Sequence, residues 1–197
     1  EGDEIGSYTL DYKGRFLLYK KELLHRSRTP ELFECNKIMV QRITGGNTPL
    51  KAVYDENHYY NKESIINIIP KRKEPVYIKY VLGLINSKLL NYIYSKQFTN
   101  ESKLTVNLSK EYLSELPIVE ANEAQLLLFA KCVDRLLFQD KIQSEHEQLK
   151  DQIDLMVYKL YELTWDEALI VDPELPSIIS REDYEMAGIE ELAEWEV

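Results

Sequence analysis

The side chains best suited to binding chemistry are basic, hydroxyl and amide groups around one predicted strand, residues 37–44, and the hairpin that it begins. In the major groove of DNA, Arg or Lys matches the two acceptors of guanine and Asn or Gln matches adenine, whereas Lys, Arg, Ser and Thr hold phosphates. We therefore predict DNA contacts from the residues of this hairpin, which are Lys37, Arg42, Thr44, Asn47 and Lys51. An ion pair with Glu31 or Glu34 is the alternative for Arg42.

Loops supply two further groups of predicted DNA contacts. The first group comprises Tyr59, Tyr60 and Asn61. The two tyrosines could instead be core aromatics. The second group is a separate polar patch made of Asn100, Ser102 and Lys103.

The densest basic cluster is formed by Lys71, Arg72 and Lys73. We assign this cluster to phosphates, because three successive flexible cations do not specify a base. A solvated turn is the alternative interpretation.

Catalytic motifs are missing from the sequence. An adenine methyltransferase needs a glycine-rich turn for its cofactor and an Asn-Pro-Pro-Tyr-like loop for the extruded base, and the chain contains no Pro-Pro pair. Asp11 and Lys13 form the D-x-K triplet of metal-dependent nucleases, but chance explains such a triplet at this length. The three histidines lack metal-ligand spacing. We expect no catalytic residue, no metal site and no cofactor within this chain.

Short strands should position the candidate residues. Alternating apolar side chains predict strands at residues 37–44 and 50–54, joined as a hairpin across the glycines at 45 and 46, and a buried strand at 64–69. Thr29 and Pro30 suit the start of a short helical turn. The apolar run within residues 15–20 fits either a buried strand or part of a helix, since periodicity does not separate the two.

Helices should follow the strands. Apolar residues at three- and four-residue steps predict one helix over residues 75–97. Capping residues mark the starts of four more helices, at Ser109, Asn122, Thr164 and Ser180. Gly188 is predicted to end the last of them.

A short apolar seam near the C-terminal end suggests an alternative function. Its 4-3-4 spacing, typical of a coiled coil, is set by Leu149, Ile153, Met156 and Leu160. We predict helix pairing there. The alternative is a helical protein-interaction module without DNA affinity, in which this seam and the acidic tail dock a partner. A second copy of the chain, paired through its helices, is one such partner.

The formal net charge of −10 hides two oppositely charged parts. Residues 5–110 hold 18 Lys and Arg against 9 Asp and Glu, whereas residues 120–197 hold 6 against 20. Only local charge matters over a screening length of about 8 Å at physiological salt. The first part thus has the sign of a phosphate-binding surface, and the second resembles a solvated helical face or a protein-contact surface.

Length and composition predict the number of domains, the state of the cysteines and the absence of a membrane segment. A chain of 197 residues with 44% hydrophobic content can build one large or two small domains. Cys35 and Cys132 form neither a C-x-x-C motif nor a disulfide framework, which predicts reduced thiols in a cytoplasmic protein. No apolar run approaches the roughly 20 residues of a membrane span and no signal peptide is present, so no membrane partner is expected. The first residue is Glu rather than Met, which suggests a piece of a longer polypeptide.

Four stretches, in order, carry a resemblance to a known family. They read RTPELFECNKIMVQRITG, YVLGLINSKLLNYIY, LSKEYLSELPI and IDLMVYKLYELTWDEA. Together they resemble the TaqI-like C-terminal specificity domain, over about residues 12–168. That family forms the target-recognition part of bacterial adenine DNA methyltransferases and fused type II restriction-modification enzymes. In it the pattern of residues 37–44 recurs while the base-reading loops vary, so the resemblance implies a role and not a target sequence.

The resemblance also implies partners. They are double-stranded DNA and a methyltransferase domain upstream in the same polypeptide, where S-adenosylmethionine would bind. We expect an α+β fold with a β-rich target-recognition lobe packed on helices and a helical acidic C-terminal part, divided at residues 1–121 and 122–197. The function expected is recognition of a specific DNA sequence for a catalytic domain that this chain does not contain.

Overall fold

Five short strands form two small antiparallel sheets in the computed structural model, which describes residues 1–24, 27–45, 48–98, 106–138 and 143–195. The strands are β1 (Lys37–Gln41), β2 (Ile43–Thr44), β3 (Ala52–Asp55), β4 (Ile65–Ile68) and β5 (Val106–Asn107). The first sheet has the order β3-β1-β4, and the second pairs β2 with β5. The predicted hairpin and the predicted buried strand are both confirmed.

The predicted strand over residues 37–44 is interrupted at Arg42. The Arg42 N–H donates to the Ser64 carbonyl at 3.0 Å, while the Arg42 carbonyl accepts from the Leu108 N–H at 2.8 Å. The chain therefore leaves the three-stranded sheet at this residue and pairs with β5 instead. One strand in the sequence pattern becomes two strands, because a segment 65 residues away along the chain supplies the second partner.

The two faces of the three-stranded sheet meet different layers. Ile38, Val40 and Ala52 point toward the helices and belong to the main core. Met39 and Val53, which alternate with them, join a smaller cluster with residues of the N-terminal segment and the start of β4. The period of two along β1 therefore sets which side chains face each layer.

A sharp corner divides the helix predicted over residues 75–97. The structure has α1 (Pro75–Asn86) and α2 (Lys88–Phe98), separated by Ser87. The buried Ser87 hydroxyl donates to the Leu84 carbonyl at 2.7 Å and accepts from the Leu90 N–H at 3.2 Å. Apolar periodicity continues across the corner, so the sequence pattern could not reveal it.

Seven further helices complete the described part of the chain. They are α3 (Lys110–Ser114), α4 (Glu123–Leu137), α5 (Gln143–Leu160), α6 (Trp165–Val171), α7 (Leu175–Ile178), α8 (Arg181–Met186) and α9 (Ile189–Ala193). All four predicted caps are confirmed, because each accepts the backbone N–H three residues later. The helix capped by Ser180 ends at Met186, with Ala187 as its C-cap, so it stops just before Gly188 as predicted. It is not the last helix, because Gly188, with φ of −91°, is also the N-cap of α9.

The N-terminal segment wraps around the sheet with little regular structure. Short 3₁₀ turns occupy Gly2–Glu4, Lys21–Leu23 and Pro30–Leu32. The last of them begins at the predicted Thr29-Pro30 position, which confirms that turn. Residues 15–20 form neither the strand nor the helix expected, and Phe16 is 93% exposed. The apolar run was therefore misread as a buried element.

The main core is continuous from the sheet to the C-terminal helices. It combines Ile38 of β1 and Leu82 of α1 with Phe129 of α4, Met156 of α5 and Leu192 of α9. The fold is α+β, as predicted. The division at residue 121 stays a prediction. Within the described residues, no helix is long and apolar enough to cross a bilayer.

Candidate nucleic-acid interface

The predicted contact residues lie at two opposite ends of the three-stranded sheet. Because β1 runs antiparallel to both neighbours, residues 41–45, 48–51 and 106–108 lie together, and we call this the hairpin end. Residues 55–58 and 69–74 lie at the other end, which we call the basic end. Lys37 and Arg42 are separated by roughly 17 Å at about 3.4 Å per strand residue. The candidates thus form two groups rather than one cluster.

Arg42 forms hydrogen bonds through both its backbone and its side chain at the hairpin end. Its backbone is fixed by the bonds to Ser64 and Leu108, and its side chain is fixed by two acceptors. The Arg42 Nε–H donates to Asn107 Oδ1 at 3.2 Å, and Nη1 donates to the Glu63 carbonyl at 3.4 Å. Neither Glu31 nor Glu34, the predicted alternative partners, is among these acceptors. A guanidinium carries five donor hydrogens, so three of them have no acceptor among the residues that the structure describes.

The two-stranded ribbon beside Arg42 has one outward and one inward face. Ile43, opposite Asn107, is 55% exposed, and Asn107 is exposed as well. Thr44, opposite Val106, is turned inward and only 7% exposed, with no hydrogen-bond partner for its hydroxyl among the described residues. The prediction of a direct DNA contact by Thr44 is corrected, because alternation places its side chain beneath the ribbon.

Asn107 is a surface residue that the sequence analysis missed. The sequence analysis assigned it no role, whereas the structure pairs it with Ile43. The signal available in the sequence was the short alternation of Val106, Asn107 and Leu108, in which the apolar neighbours are both buried.

Lys51 lies on the same end of the sheet as Arg42. Its carbonyl accepts from the Gln41 N–H at 3.0 Å, which fixes it beside the end of β1. The side chain is partly exposed and forms no ion pair with any residue that the structure describes. Arg42 and Lys51 therefore place two cations at the hairpin end.

Lys37 is enclosed in the protein and does not reach the surface. Its side chain is 0% exposed, forms an ion pair with the equally buried Asp55, and donates to the Phe33 carbonyl at 2.7 Å. The predicted DNA contact of Lys37 is corrected, because β-sheet register places it directly opposite Asp55 on the neighbouring strand. Lys37 is a positioning residue for the turn after β3.

Asp55 organises that turn. Its carboxylate accepts from the backbone N–H of Asn57 and of Tyr59, each at 3.0 Å. The turn contains His58 in the left-handed region, with φ of 59°. A charged pair inside the sheet edge therefore sets the path of the loop that carries Tyr59, Tyr60 and Asn61.

Asn61 is also an internal residue. Its Nδ2 donates to Asn67 Oδ1 at 2.7 Å, and its Oδ1 accepts from Arg28 at 3.3 Å. Asn67 in turn donates to the Leu32 carbonyl at 3.1 Å. The predicted DNA contact of Asn61 is corrected, because its donors and acceptor already hold the loop to the sheet.

The two tyrosines of this loop are half buried. Tyr60 stacks on Phe33 with ring centroids 4.5 Å apart and donates its hydroxyl to Glu34, whose carboxylate raises the pKa of Tyr60 to about 12. Tyr59 lies 5.2 Å from Tyr12 and packs against the smaller core cluster. Much of both rings serves packing, which matches the alternative interpretation, and contact of their exposed edges with DNA stays a prediction.

The basic cluster is exposed at the opposite end of the sheet from Arg42. Arg72 is anchored there, with its guanidinium 3.4 Å from Glu123, 3.7 Å from Glu74 and 4.7 Å from the centre of the Tyr77 ring. Lys71 and Lys73 have no ion-pair partner among the described residues. They are the cations of the cluster that remain available to a phosphate.

Four predicted contacts lie outside the described residues. They are Asn47, Asn100, Ser102 and Lys103.

The nuclease-like triplet is engaged in surface ion pairing. Lys13 lies 3.3 Å from Asp3 and 4.0 Å from Asp11, all three on the exposed N-terminal segment. Across residues 1–24, 27–45, 48–98, 106–138 and 143–195, no three His, Cys, Asp or Glu residues are grouped so as to hold a metal ion.

Fold and surface together define a small α+β module that presents basic and amide side chains at strand ends. The family model of the TaqI-like C-terminal specificity domain matches residues 1–118, more than half of the chain, and the chain belongs to this family. A protein of Methanocaldococcus jannaschii, provisionally named as a type II restriction enzyme and methyltransferase, is 27% identical over 145 residues. That alignment covers 72% of this chain and 12% of the relative, so the chain spans a small part of the relative's length.

Proposed function

We propose that this chain recognises a specific sequence in double-stranded DNA for a restriction-modification enzyme. The observation that carries the proposal is Arg42 hydrogen-bonded to Asn107, at the hairpin end of a member of a specificity-domain family. Arg and Asn are the side chains that read base edges, and a two-stranded ribbon fits the major groove. Pre-positioned side chains lose little conformational freedom on binding, which favours selective readout.

Phosphate contacts would hold the module in register on the duplex. Residues 5–110 carry an excess of cations, and Lys51, Lys71 and Lys73 supply charges without ion pairs among the described residues. The two ends of the sheet are separated by less than one DNA turn of about 34 Å. One duplex could therefore reach both the hairpin end and the basic end.

The chemistry would belong to another domain of the same polypeptide. We propose an upstream N6-adenine methyltransferase domain, which would bind S-adenosylmethionine and extrude the target base. The relative's name, which describes a restriction enzyme and methyltransferase, supports this partner. Within this chain the corresponding role is to fix the position and direction of the duplex. We also propose a cytoplasmic location, because Cys35 and Cys132 are both unpaired.

Charge reversal at the basic end tests the proposal. Replacing Lys71, Arg72 and Lys73 by Glu should weaken binding to every duplex and lower the dependence of log K on log salt by about 2 to 3. Binding is measured by fluorescence anisotropy on random-sequence duplexes at several salt concentrations.

A control variant separates the effect of local charge on DNA binding from the effect of net charge. Replacing Lys131, Lys150 and Arg181 by Glu makes the same change in net charge on the acidic helices. This control should bind like the unaltered chain. Equal loss in the two triple variants would reduce the effect to net charge, and no binding by the unaltered chain at low salt would remove the proposed function.

A further inference from the structure

The contact between Arg42 and Asn107 determines which hydrogen-bonding groups face outward. Arg42 uses Nε and one hydrogen of Nη1 within the protein. Asn107 accepts from Arg42 Nε through Oδ1, which turns this oxygen toward Arg42, and its Nδ2 amino group has no acceptor among the described residues. What the pair offers to a ligand is therefore a set of donors: the Arg42 Nη2 amino group, the second Nη1 hydrogen and the Asn107 amino group.

The ribbon gives these donors a defined setting. Asn107 and Ile43 are paired residues on the outward face of β2 and β5, whose side chains lie about 5 Å apart at Cβ. Ile43 contributes an exposed apolar side chain beside the amide. A major groove about 12 Å wide admits a two-stranded ribbon in this orientation.

We propose that Arg42 and Asn107 together read one guanine of the target sequence, through its O6 and N7 atoms. This inference rests on the proposed function. Guanine presents two acceptors on its major-groove edge, whereas adenine places an amino donor next to N7, cytosine places an amino donor at N4, and thymine offers one acceptor beside a methyl group. Donors facing donors leave buried polar groups unpaired, so the other bases are rejected.

The pairing with Arg42 also reverses the usual preference of asparagine. An Asn that reads adenine accepts from the N6 amino group through Oδ1 and donates to N7 through Nδ2. In this structure Oδ1 already accepts from a guanidinium, and the remaining amide donor matches guanine instead. Asn107 is thus both a positioning residue for Arg42 and a direct specificity-determining residue.

Two conservative substitutions separate these roles. Arg42→Lys keeps the charge but loses the planar fork, so phosphate-dependent affinity should persist while guanine preference falls. Asn107→Asp keeps the Oδ1 acceptor for Arg42 Nε but replaces the amino donor by a second acceptor. If Asn107 donates to guanine, this isosteric change abolishes the preference; if it only orients Arg42, the preference survives. Arg181→Lys, on exposed α8, is the matched control.

The experiment is selection from a pool of random duplexes by the unaltered chain and the three variants, with enriched sequences read out. We expect a motif with one guanine that both Arg42→Lys and Asn107→Asp lose, by about 10- to 100-fold in preference, while the other positions and the control are unchanged. A motif whose guanines persist in both variants overturns this inference and leaves the proposed function standing. Absence of any enriched motif for the unaltered chain overturns both.

Discussion

At the scale of single residues, two basic side chains at the opposite ends of β1 take opposite roles. Lys37 enters the interior and neutralises Asp55, whereas Arg42 stays at the surface with free donor hydrogens. A buried charge without its partner is expensive, so each member of the Lys37–Asp55 pair requires the other. The pair contributes to the loop geometry more than to a binding surface.

Loss of the buried lysine should destabilise the fold. Lys37→Met leaves Asp55 charged and unpaired in the interior, and we expect a loss of about 3 to 5 kcal/mol in the free energy of unfolding, measured by urea denaturation. Adding Asp55→Asn should restore part of it, since no uncompensated charge remains and the amide oxygen can still accept from Asn57. Lys62→Met, which breaks the exposed pair with Glu1, should cost less than about 1 kcal/mol. Similar losses for both lysines would contradict the assigned role.

A second buried ionic cluster joins α2, α5 and the end of α6. Lys88 Nζ lies 2.9 Å from Asp151 and 2.8 Å from Asp172, while the Lys88 backbone N–H donates to Asp154 at 2.8 Å. Tyr158 also donates to Asp172, at 3.4 Å. Burial raises the pKa of Asp154 to about 7, against the opposing effect of Lys88. One lysine thus serves three carboxyl groups, and burial opposes the ionisation of Asp154.

This raised pKa predicts a pH-dependent stability. Between about pH 4, where an exposed Asp titrates, and pH 7, the folded chain binds a proton that the unfolded chain has lost. Through this group, a rise in pH within this range lowers the free energy of unfolding by at most about 1.4 kcal/mol per pH unit. Asp154→Asn removes the effect, so its stability relative to the unaltered chain should improve from pH 4.5 to pH 7.5 in urea denaturation. Parallel curves for the two proteins would show that Asp154 is ionised throughout this range.

At the scale of secondary-structure elements, side-chain amides near the α1–α2 corner replace a missing strand partner. β3 is an edge strand, and Asn86 bonds both backbone groups of Ala52: its Oδ1 accepts at 2.9 Å and its Nδ2 donates at 3.0 Å. Asn91 accepts from the Leu50 N–H at 2.8 Å. The corner therefore fixes the strand that leads out of the hairpin end, next to Lys51.

Removing this amide should loosen the edge strand. Asn86→Ala leaves the Ala52 N–H unpaired, while the Ala52 carbonyl keeps the Tyr8 N–H as a donor at 2.8 Å. We expect a loss of about 1 to 3 kcal/mol in the free energy of unfolding with faster hydrogen exchange of the Ala52 amide. The exposed cap Asn122 provides a contrast. Asn122→Ala should lower stability by about 1 kcal/mol while leaving exchange at Ala52 unchanged. Unchanged exchange at Ala52 in the Asn86 variant would refute the bridging role.

At the scale of the whole molecule, the acidic helices are part of the core that supports the sheet. The predicted seam of α5 is buried inside the same chain, where Ile153 and Met156 are 1% and 0% exposed. The predicted helix pairing is thus satisfied by α4 and α9 within the molecule. Self-association through this seam, the basis of the alternative function, would require the core to open.

Polar substitutions in the seam distinguish packing inside the chain from self-association between chains. Ile153→Gln and Met156→Gln should each destabilise the chain by about 2 to 5 kcal/mol in urea denaturation, because they put a polar group into a packed site. The oligomeric state of each variant, measured by analytical ultracentrifugation under native conditions, should be the same as that of the unaltered chain. Leu127→Gln, at an exposed position of α4, should change stability by less than about 0.5 kcal/mol. Dissociation of an oligomer without loss of stability would restore the interaction module.

The sequence predicted correctly those helices and strands that are specified by residues close together in the chain. The caps at Asn122 and Thr164 succeeded because a cap and its acceptor are three residues apart. The hairpin strands succeeded because alternate side chains of a strand point to opposite faces, and both faces of these strands are covered by apolar clusters. The exposed run around Phe16 failed for the complementary reason: apolar composition indicates burial only when other elements cover it, and here none of the described elements does so.

The sequence by itself determined the strands and capped helices, the split of charge between two parts of the chain, and the family to which it belongs. Only the tertiary structure decided which polar residues stay at the surface and which are buried. Arg42 and Asn107 are 65 positions apart, and Lys37 meets Asp55 across a sheet, so neither contact has a local signature. Pairing register and burial turn one lysine inward and leave one arginine outward, because each polar group must find a partner in the protein or in its surroundings.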